Sequence, residues 1–244
     1  MSIPSDVVKD LAPSGTLRVA INLGNPVLAQ TTASGEPDGV SVALAKELAK
    51  RAGLPIQLNT YESAGKVTDA LKTGAWDLAF LAIEPVRANE IDFTAPYVII
   101  EGTYLVKKDS LLKVVEDVDR PGIRIGVGKG VAYDLYLTRT VKHAEVVRGS
   151  TGGGASAYDL FLEQNLDAAA GVRQALDVSA KTDPNVRVMS GRFMEIRQAM
   201  GTPKGRDKAH AFLKTYIEEM KSSGFVAEHL KRTNQPDATV APAE

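Results

Sequence analysis

No cysteine occurs anywhere in the 244 residues. That excludes a disulfide framework, a thiolate metal site and a cysteine nucleophile. Histidine is almost as scarce. His143, His210 and His229 stand apart, with neither an HExxH motif nor any ligand spacing, so no metal site is expected. No sign of charge dominates, with 29 Lys and Arg against 30 Asp and Glu. A chain so balanced has no basic excess to draw nucleic acid or an anionic membrane surface. No apolar run approaches the ~18 to 20 residues that span a bilayer, so no membrane insertion is expected. The opening "MSIPSDVVKDLAPSGTL" lacks a basic n-region and an apolar core and does not read as a signal peptide. Two expectations follow from it: a mature form carrying an added methionine, or a cytoplasmic chain with a native start. Nucleophile motifs are also missing. "GVGKGV" (126–131) has glycines after a strand but not GxGxxG spacing, and its lysine lacks the Ser or Thr of a P-loop. No cofactor is expected.

The rest of the composition is that of a globular protein, 44% hydrophobic and 24% charged. Along the chain, strand-like and helix-like patterns alternate. "TLRVAINL" (16–23), "PIQLNTY" (55–61) and "WDLAFLAI" (76–83) read as strands; "VSVALAKELAKRAG" (40–53) and "GKVTDALKTG" (65–74) read as helices stopped by Gly53 and Gly74. Such alternation implies βαβ units and a parallel sheet. "YVIIEGTYLVKK" (97–108) breaks the rhythm as a long extended run. The alternation then restarts, with strands over 123–128, 144–149 and 166–172 and helices over 131–141 and 156–165. "VRVMSG" (186–191) is extended again, and "DKAHAFLKTYIEEMKSSG" (207–224) has one clear apolar face. The glycine loop "GSTGGGAS" (149–156) opens a helix, as a cleft lining or a plain connector. The expectation is two α/β lobes joined by two hinge strands, near 98–104 and 186–192. Lobe 1 takes 1–100 plus 190–232, lobe 2 takes 101–189, and 233–244 is a frayed tail. Ligands of open α/β sheets sit beyond the carboxyl ends of strands, and Arg87 follows such an end.

Several ordered pieces together resemble the type 3 bacterial solute-binding proteins, whose members bind amino acids for ABC importers. They are "SGTLRVAI" (14–21), "GVSVALAKELAKRAG" (39–53), "ALKTGAWDLAF" (70–80), "EPVRANEIDFTAPY" (84–97), "RIGVGKGVAYDLYL" (124–137), "LEQNLDAAAGV" (162–172) and "GTPKGRDKAHAFLKTYIEEMKSSGFVAEHLKR" (201–232). The resemblance covers nearly the whole chain. It implies the periplasmic-binding-protein (Venus-flytrap) fold, a small-molecule ligand in an interlobe cleft closed by hinge motion, an ABC permease as partner, a periplasmic location, and no enzyme activity. A monomer is the default. In the family the arginine matching Arg87 holds the ligand's carboxylate. The chemistry suits that role, because a guanidinium is permanently charged and offers a rigid donor fork. The alternative for Arg87 is a surface arginine pairing with Glu84 or Glu90.

The departures bear on the ligand. The family's acid for an α-ammonium is matched by Val172, which cannot pair with one. The usual Gly-Thr-Thr is Gly130-Val131-Ala132, leaving only backbone amides at that helix start to hold an anion. The family's aromatic near the first strand corresponds to Asn25. The threonine three before the arginine is Glu84. Arg87, Lys129, the amides near Gly130 and Arg173 therefore favour a small organic anion without an ammonium; Glu84 replacing the lost acid is the competing reading. Asn22 and Asn25 are read as polar readers or loop caps, Tyr133 as a pocket wall or a packed tyrosine, and Trp76 as core. Ala82 completes the expected ligand-binding set. Two further functions are carried as alternatives: a cyclohexadienyl-dehydratase-like enzyme with Glu84 as general acid, and a sensor acting in trans.

Overall fold

The structure, a computed structural model, describes residues 3–149, 154–235 and 238–244, and of 154–156 the backbone alone. Residues 150–153 of the glycine loop expected over 149–156 lie outside the described residues. The chain divides into two compact units. Unit 1 comprises Met1–Glu62, Lys66–Ile99 and Arg197–Glu244; unit 2 comprises Ser63–Gly65 and Ile100–Ile196.

Unit 1 opens with a short helix, α1 (Ser5–Leu11), and strand β1 (Leu17–Asn22). A two-residue hairpin pair, β2 (Gln30–Thr31) and β3 (Pro37–Asp38), leads into helix α2 (Val40–Ala52). Val40, Leu44 and Leu48 make its buried stripe, and Gly53 closes it at φ 64°. The N–H of Leu54 donates to Ala49 O and that of Gly53 to Lys50 O, a pairing that wants a residue without a Cβ at the left-handed position. Strand β4 (Ile56–Tyr61), helix α3 (Ala64–Leu71) and strand β5 (Leu78–Ala82) follow. Parallel strands need crossover connections, and the helices expected over 40–53 and 65–74 supply them. Strand β1 lies parallel to β4, Leu17 opposite Ile56, and to β5, Val19 opposite Leu78. All five residues of β5 are buried, as befits a central strand covered on both faces. Its start is pinned by Asp77, fully buried at its side chain, which receives Arg18 Nε at 2.9 Å and Nη2 at 2.8 Å. The carboxyl ends of β1 and β5 therefore share one edge of the sheet. A one-turn helix, Arg87–Asn89, then turns the chain into strand β6 (Ile91–Lys107), which runs on into unit 2.

Unit 2 repeats the alternation with strand β7 (Arg124–Gly128), helix α4 (Ala132–Thr140), strand β8 (Glu145–Gly149), helix α5 (Gly154–Glu163) and strand β9 (Ala168–Val172). Strand β7 is parallel to β8 and β9, and β9 is antiparallel to β6, Gly102 facing Val172. Leu105, Phe161, Leu166 and Leu176 form its core. Leu176 belongs to helix α6 (Arg173–Thr182), which the sequence reading does not place. Only Leu176 of "RQALDVSAKT" is fully buried, with Ala180 packed partly buried one turn on, so the segment offers one large core residue to read. Strand β10 (Val186–Val188) pairs with β6 from Lys107 to Leu105. The extended run at 186–192, expected to be the second hinge strand, thus belongs to unit 2. The return is made by strand β11 (Met194–Pro203), which pairs antiparallel with β5, Gln198 opposite Ala82.

Helices α7 (Asp207–Ser222) and α8 (Phe225–Arg232) complete unit 1. Asp10 ties α1 to α7, its carboxylate accepting the Ala209 N–H at 2.8 Å. The tail expected to fray does not do so over 238–244. Strand β12 (Thr239–Val240) pairs with β6, Val240 opposite Val98. Ala241 is buried with its N–H on Tyr97 O, and Lys221 Nζ donates to Pro242 O at 2.8 Å. Two small apolar residues in a polar tail suffice once a strand edge and a buried cation receive them.

Candidate functional site

At the strand-end edge of unit 1, Arg87 is 2% exposed. A surface arginine is excluded by that figure. Its Nη1 donates to Ala82 O, the last carbonyl of β5, at 3.0 Å. The turn from β5 into the one-turn helix brings the guanidinium back over the strand end, and the bond fixes the plane of the fork. Ala82 itself is buried and contributes this carbonyl. Burial pushes the Arg87 pKa down to about 10, opposed by the negative charge of Glu84. The guanidinium stays protonated at neutral pH even so. Glu84 is 2% exposed and is the acid that bears on Arg87, whereas Glu90 is solvent-exposed.

The two asparagines at and beyond the end of β1 behave differently. Asn22 Oδ1 accepts the Gly24 N–H at 3.0 Å, a loop-capping bond of the Asx type. Asn25 is buried, and its backbone carbonyl accepts from the N–H groups of Leu28 and Ala29. Its side-chain oxygen is buried with no hydrogen-bond partner.

Unit 2 handles the corresponding positions in another way. Lys129 is exposed, and Gly130 takes φ 77°, a left-handed turn that suits glycine. The Gly130 N–H donates at 2.8 Å to Oδ2 of Asp134. Asp134 is buried, and its Oδ1 accepts Arg148 Nε at 2.9 Å. The Gly130 amide, one of those expected to hold an anion, thus meets the chain's own carboxylate, a residue that sequence reasoning missed. The signal was present: an aspartate four residues after the glycine can reach back over the first turn of α4. Val131 and Ala132 are buried and apolar, and Tyr133 is 4% exposed, its phenol pKa raised by burial. The packed-tyrosine reading fits Tyr133 better than a pocket wall. Val172, 7% exposed, stands at the start of α6.

Arg173 is committed elsewhere. Its Nε donates to Glu101 Oε2 at 2.7 Å, its Nη1 to Met189 O at 3.3 Å and its Nη2 to Gly191 O. Glu101 also receives Arg192 Nη1 at 2.8 Å, and the two arginines, Arg173 first, hold its carboxyl below the ordinary range. Arg173, expected in the ligand set, knits β6, α6 and the approach to β11 through these bonds. Trp76 is core, 1% exposed, with Nε1 on Val67 O at 2.9 Å. Among the described residues no group of three or more His, Asp or Glu side chains is placed to hold a metal, and no helix is long and apolar enough to cross a membrane.

The L-cystine-binding protein TcyJ of Escherichia coli strain K12 is 26% identical over 215 residues, 86% of this chain and 79% of TcyJ. Among solved structures, the solute receptor for L-cysteine of Neisseria gonorrhoeae is similar with a TM-score of 0.79 at 22% identity, covering 94% of each chain. The ancestral amino acid-binding protein AncCDT-1, a precursor of cyclohexadienyl dehydratase, has a TM-score of 0.76 at 23% identity, covering 92% of this chain and 98% of its own. These likenesses show the periplasmic-binding-protein fold. The family model of the bacterial extracellular solute-binding proteins, family 3, matches residues 17–234. The chain belongs to the bacterial extracellular solute-binding proteins, family 3.

Proposed function

We propose that the chain captures a small carboxylate-bearing metabolite in the periplasm and delivers it to the permease of an ABC importer. The observation that carries the reading is the buried guanidinium of Arg87 at the carboxyl edge of the unit 1 sheet, with Nη1 anchored on Ala82 O. Burying a cation is costly unless opposite charge is near; Glu84 offsets part of that cost, and a ligand carboxylate adds to the offset. A carboxylate meets such a fork through charge-assisted bonds about twice as strong as neutral ones.

The ligand class follows from the surroundings. Val172 offers nothing to an ammonium, which favours a simple organic acid over a free α-amino acid. The names of TcyJ and the Neisseria receptor favour the amino-acid end of the range. Buried Glu84 would then take the ammonium. Burial of Glu84 also favours a second reading, a dehydratase on the same fold with that residue as acid.

The test is thermal unfolding of purified, refolded protein against L-cystine, L-glutamine, hydroxy acids, keto acids and prephenate. A ligand at 100 times its Kd adds about 2.7 kcal/mol, a rise of about 5 to 10 °C in a chain of this size. A rise with carboxylates supports the reading, and a response to no carboxylate contradicts it. Turnover of prephenate would replace it with the dehydratase.

A further inference from the structure

We propose that unit 2 carries a second binding site, for a small free organic cation, in a cavity walled by Tyr104, Tyr136 and Phe193 and faced by the carboxylates of Glu116 and Asp119. The site is independent of Arg87 and of the carboxylate reading.

The cavity holds about 240 Å³, and every residue that lines it belongs to unit 2. Tyr104 comes from β6 and Tyr136 from α4, and Phe193 stands just before β11. The Phe193 ring lies 4.5 Å from that of Tyr104 and 5.9 Å from that of Tyr136, centroid to centroid. Its place is fixed by Gly102. The Phe193 N–H donates to Gly102 O at 3.0 Å, and a Cβ on Gly102 would come within 3.1 Å of the ring. Packing alone would account for three rings in contact. The Tyr104 hydroxyl argues for more. Tyr104 is 4% exposed, yet its hydroxyl makes no hydrogen bond among the described residues. A buried tyrosine usually finds a partner for that group. Burial first, then the charge of Asp119 and the phenol of Tyr136, push the Tyr104 pKa up. The hydroxyl thus lies toward two groups that line the same cavity.

Charge sets the class. Against the cost of burial, the N–H groups of Ala144, His143 and Lys142 hold the Asp119 carboxyl below the ordinary range. Neither Asp119 nor Glu116 pairs with a lysine or arginine among the described residues. Arg192 also lines the cavity, but its charge is answered by Glu101, through Nη1 at 2.8 Å, and by Glu195, through Nη2 at 2.6 Å. The cavity therefore faces two carboxylates that have no cation of their own. An ammonium suits it. Its N–H groups donate to a carboxylate and to the Tyr104 oxygen, and its carbon body lies against rings whose quadrupole attracts a cation.

Three probes of one skeleton test this: benzylammonium, benzyl alcohol and benzoate, titrated into the refolded protein and followed by the aromatic NMR signals of Tyr104, Tyr136 and Phe193. A concentration of about 10 mM fills a site whose Kd is near 1 mM. Benzylammonium is expected to shift those signals and to bind about fivefold or more tighter than benzyl alcohol, while benzoate leaves them unmoved. Glu116→Gln should weaken benzylammonium by about two- to fivefold. Tyr104→Phe should weaken it by about the same factor and melt no lower than the wild type, since the hydroxyl removed has no protein partner. No shift at the three rings, or equal binding of the cation and the alcohol, overturns the site. An affinity unchanged in Glu116→Gln overturns the electrostatic assignment, and one unchanged in Tyr104→Phe overturns the role of the hydroxyl. A Tyr104→Phe variant melting several degrees lower also overturns that role, because the hydroxyl would then be part of the packed core. Benzylammonium and benzyl alcohol carry no carboxylate, so failure here leaves the reading of Arg87 standing.

Discussion

The strand-end positions of the two units carry opposite solutions to one problem. In unit 1 a cation and an acid, Arg87 and Glu84, are buried after the end of β5, and Asn25, after the end of β1, keeps an oxygen without a partner. In unit 2 two of the polar groups expected at the site, the Gly130 amide and Arg173, are bonded within the chain. The Gly130 amide goes to Asp134, Asp134 to Arg148, and Arg173 to Glu101 and two carbonyls. Beside them stand Val131, Ala132 and Val172, all buried and apolar, and the exposed Lys129. The lesson is that residue type at a family position does not say whether the group is available. An arginine after a strand is a ligand candidate in one unit and a structural strut in the other.

The largest effect expected from this contrast is at Arg87. Arg87→Met should weaken carboxylate binding by about 100-fold, the loss of two charge-assisted hydrogen bonds. Arg87→Lys should recover little of it, because an ammonium lacks the fork. Titration calorimetry of both variants reads this, and full affinity in either would erase the distinction between the units.

Asp134→Ala addresses the other side. It strips the Gly130 amide and Arg148 of a buried partner and should cost about 2 kcal/mol of stability, or roughly 4 to 8 °C in melting temperature. If Asp134 instead stood aside for a ligand, the variant would melt near the wild type and bind anions more tightly. Arg173→Ala should cost about 1 kcal/mol, since its pair with Glu101 is partly solvent-screened. The ligand-induced rise in melting temperature should survive unchanged. Its disappearance would return Arg173 to the site.

The smallest effect concerns a charge of unit 1 that has a structural task. Asp38 receives Arg232 through Nη1 at 2.8 Å and Nη2 at 2.6 Å, and this pairing draws its pKa down to about 2. A carboxyl depressed in the folded state contributes stability that is present above its unfolded value near 3.8 and is lost as pH falls through about 2. Asp38→Asn should therefore be less stable than the wild type by at most about 1 kcal/mol at pH 6, given the exposure of the pair. The difference should close below pH 2. Denaturation at several pH values measures it, and a gap that persists in acid would assign the effect to packing.

The fold was legible because its signals are local and repeated. The buried stripe of α2, its glycine stop and the continuous apolar run of β5 all read directly from residue spacing. Helix α6 and strand β12 were not legible, since each depends on what receives it: the unit 2 core for Leu176, the edge of β6 for Val240. Within the site, Arg87 and Asn25 could be singled out by position. Their burial could not, because it depends on the return of the chain over β5 and on the turn at Leu28. The commitment of Arg173 was beyond reach for the same reason, its partner Glu101 lying far away in sequence. Asp134 stood within four residues of Gly130 and could have been found by asking where that amide's hydrogen bond goes.

A crystal structure of the refolded protein with the carboxylate that gives the largest thermal shift tests the central claim most directly. The account predicts the ligand's carboxylate oxygens within hydrogen-bond distance of the Arg87 guanidinium, with the Gly130 amide still on Asp134. A carboxylate seated on the Gly130 amide or on Arg173, with Arg87 facing only protein, would contradict it.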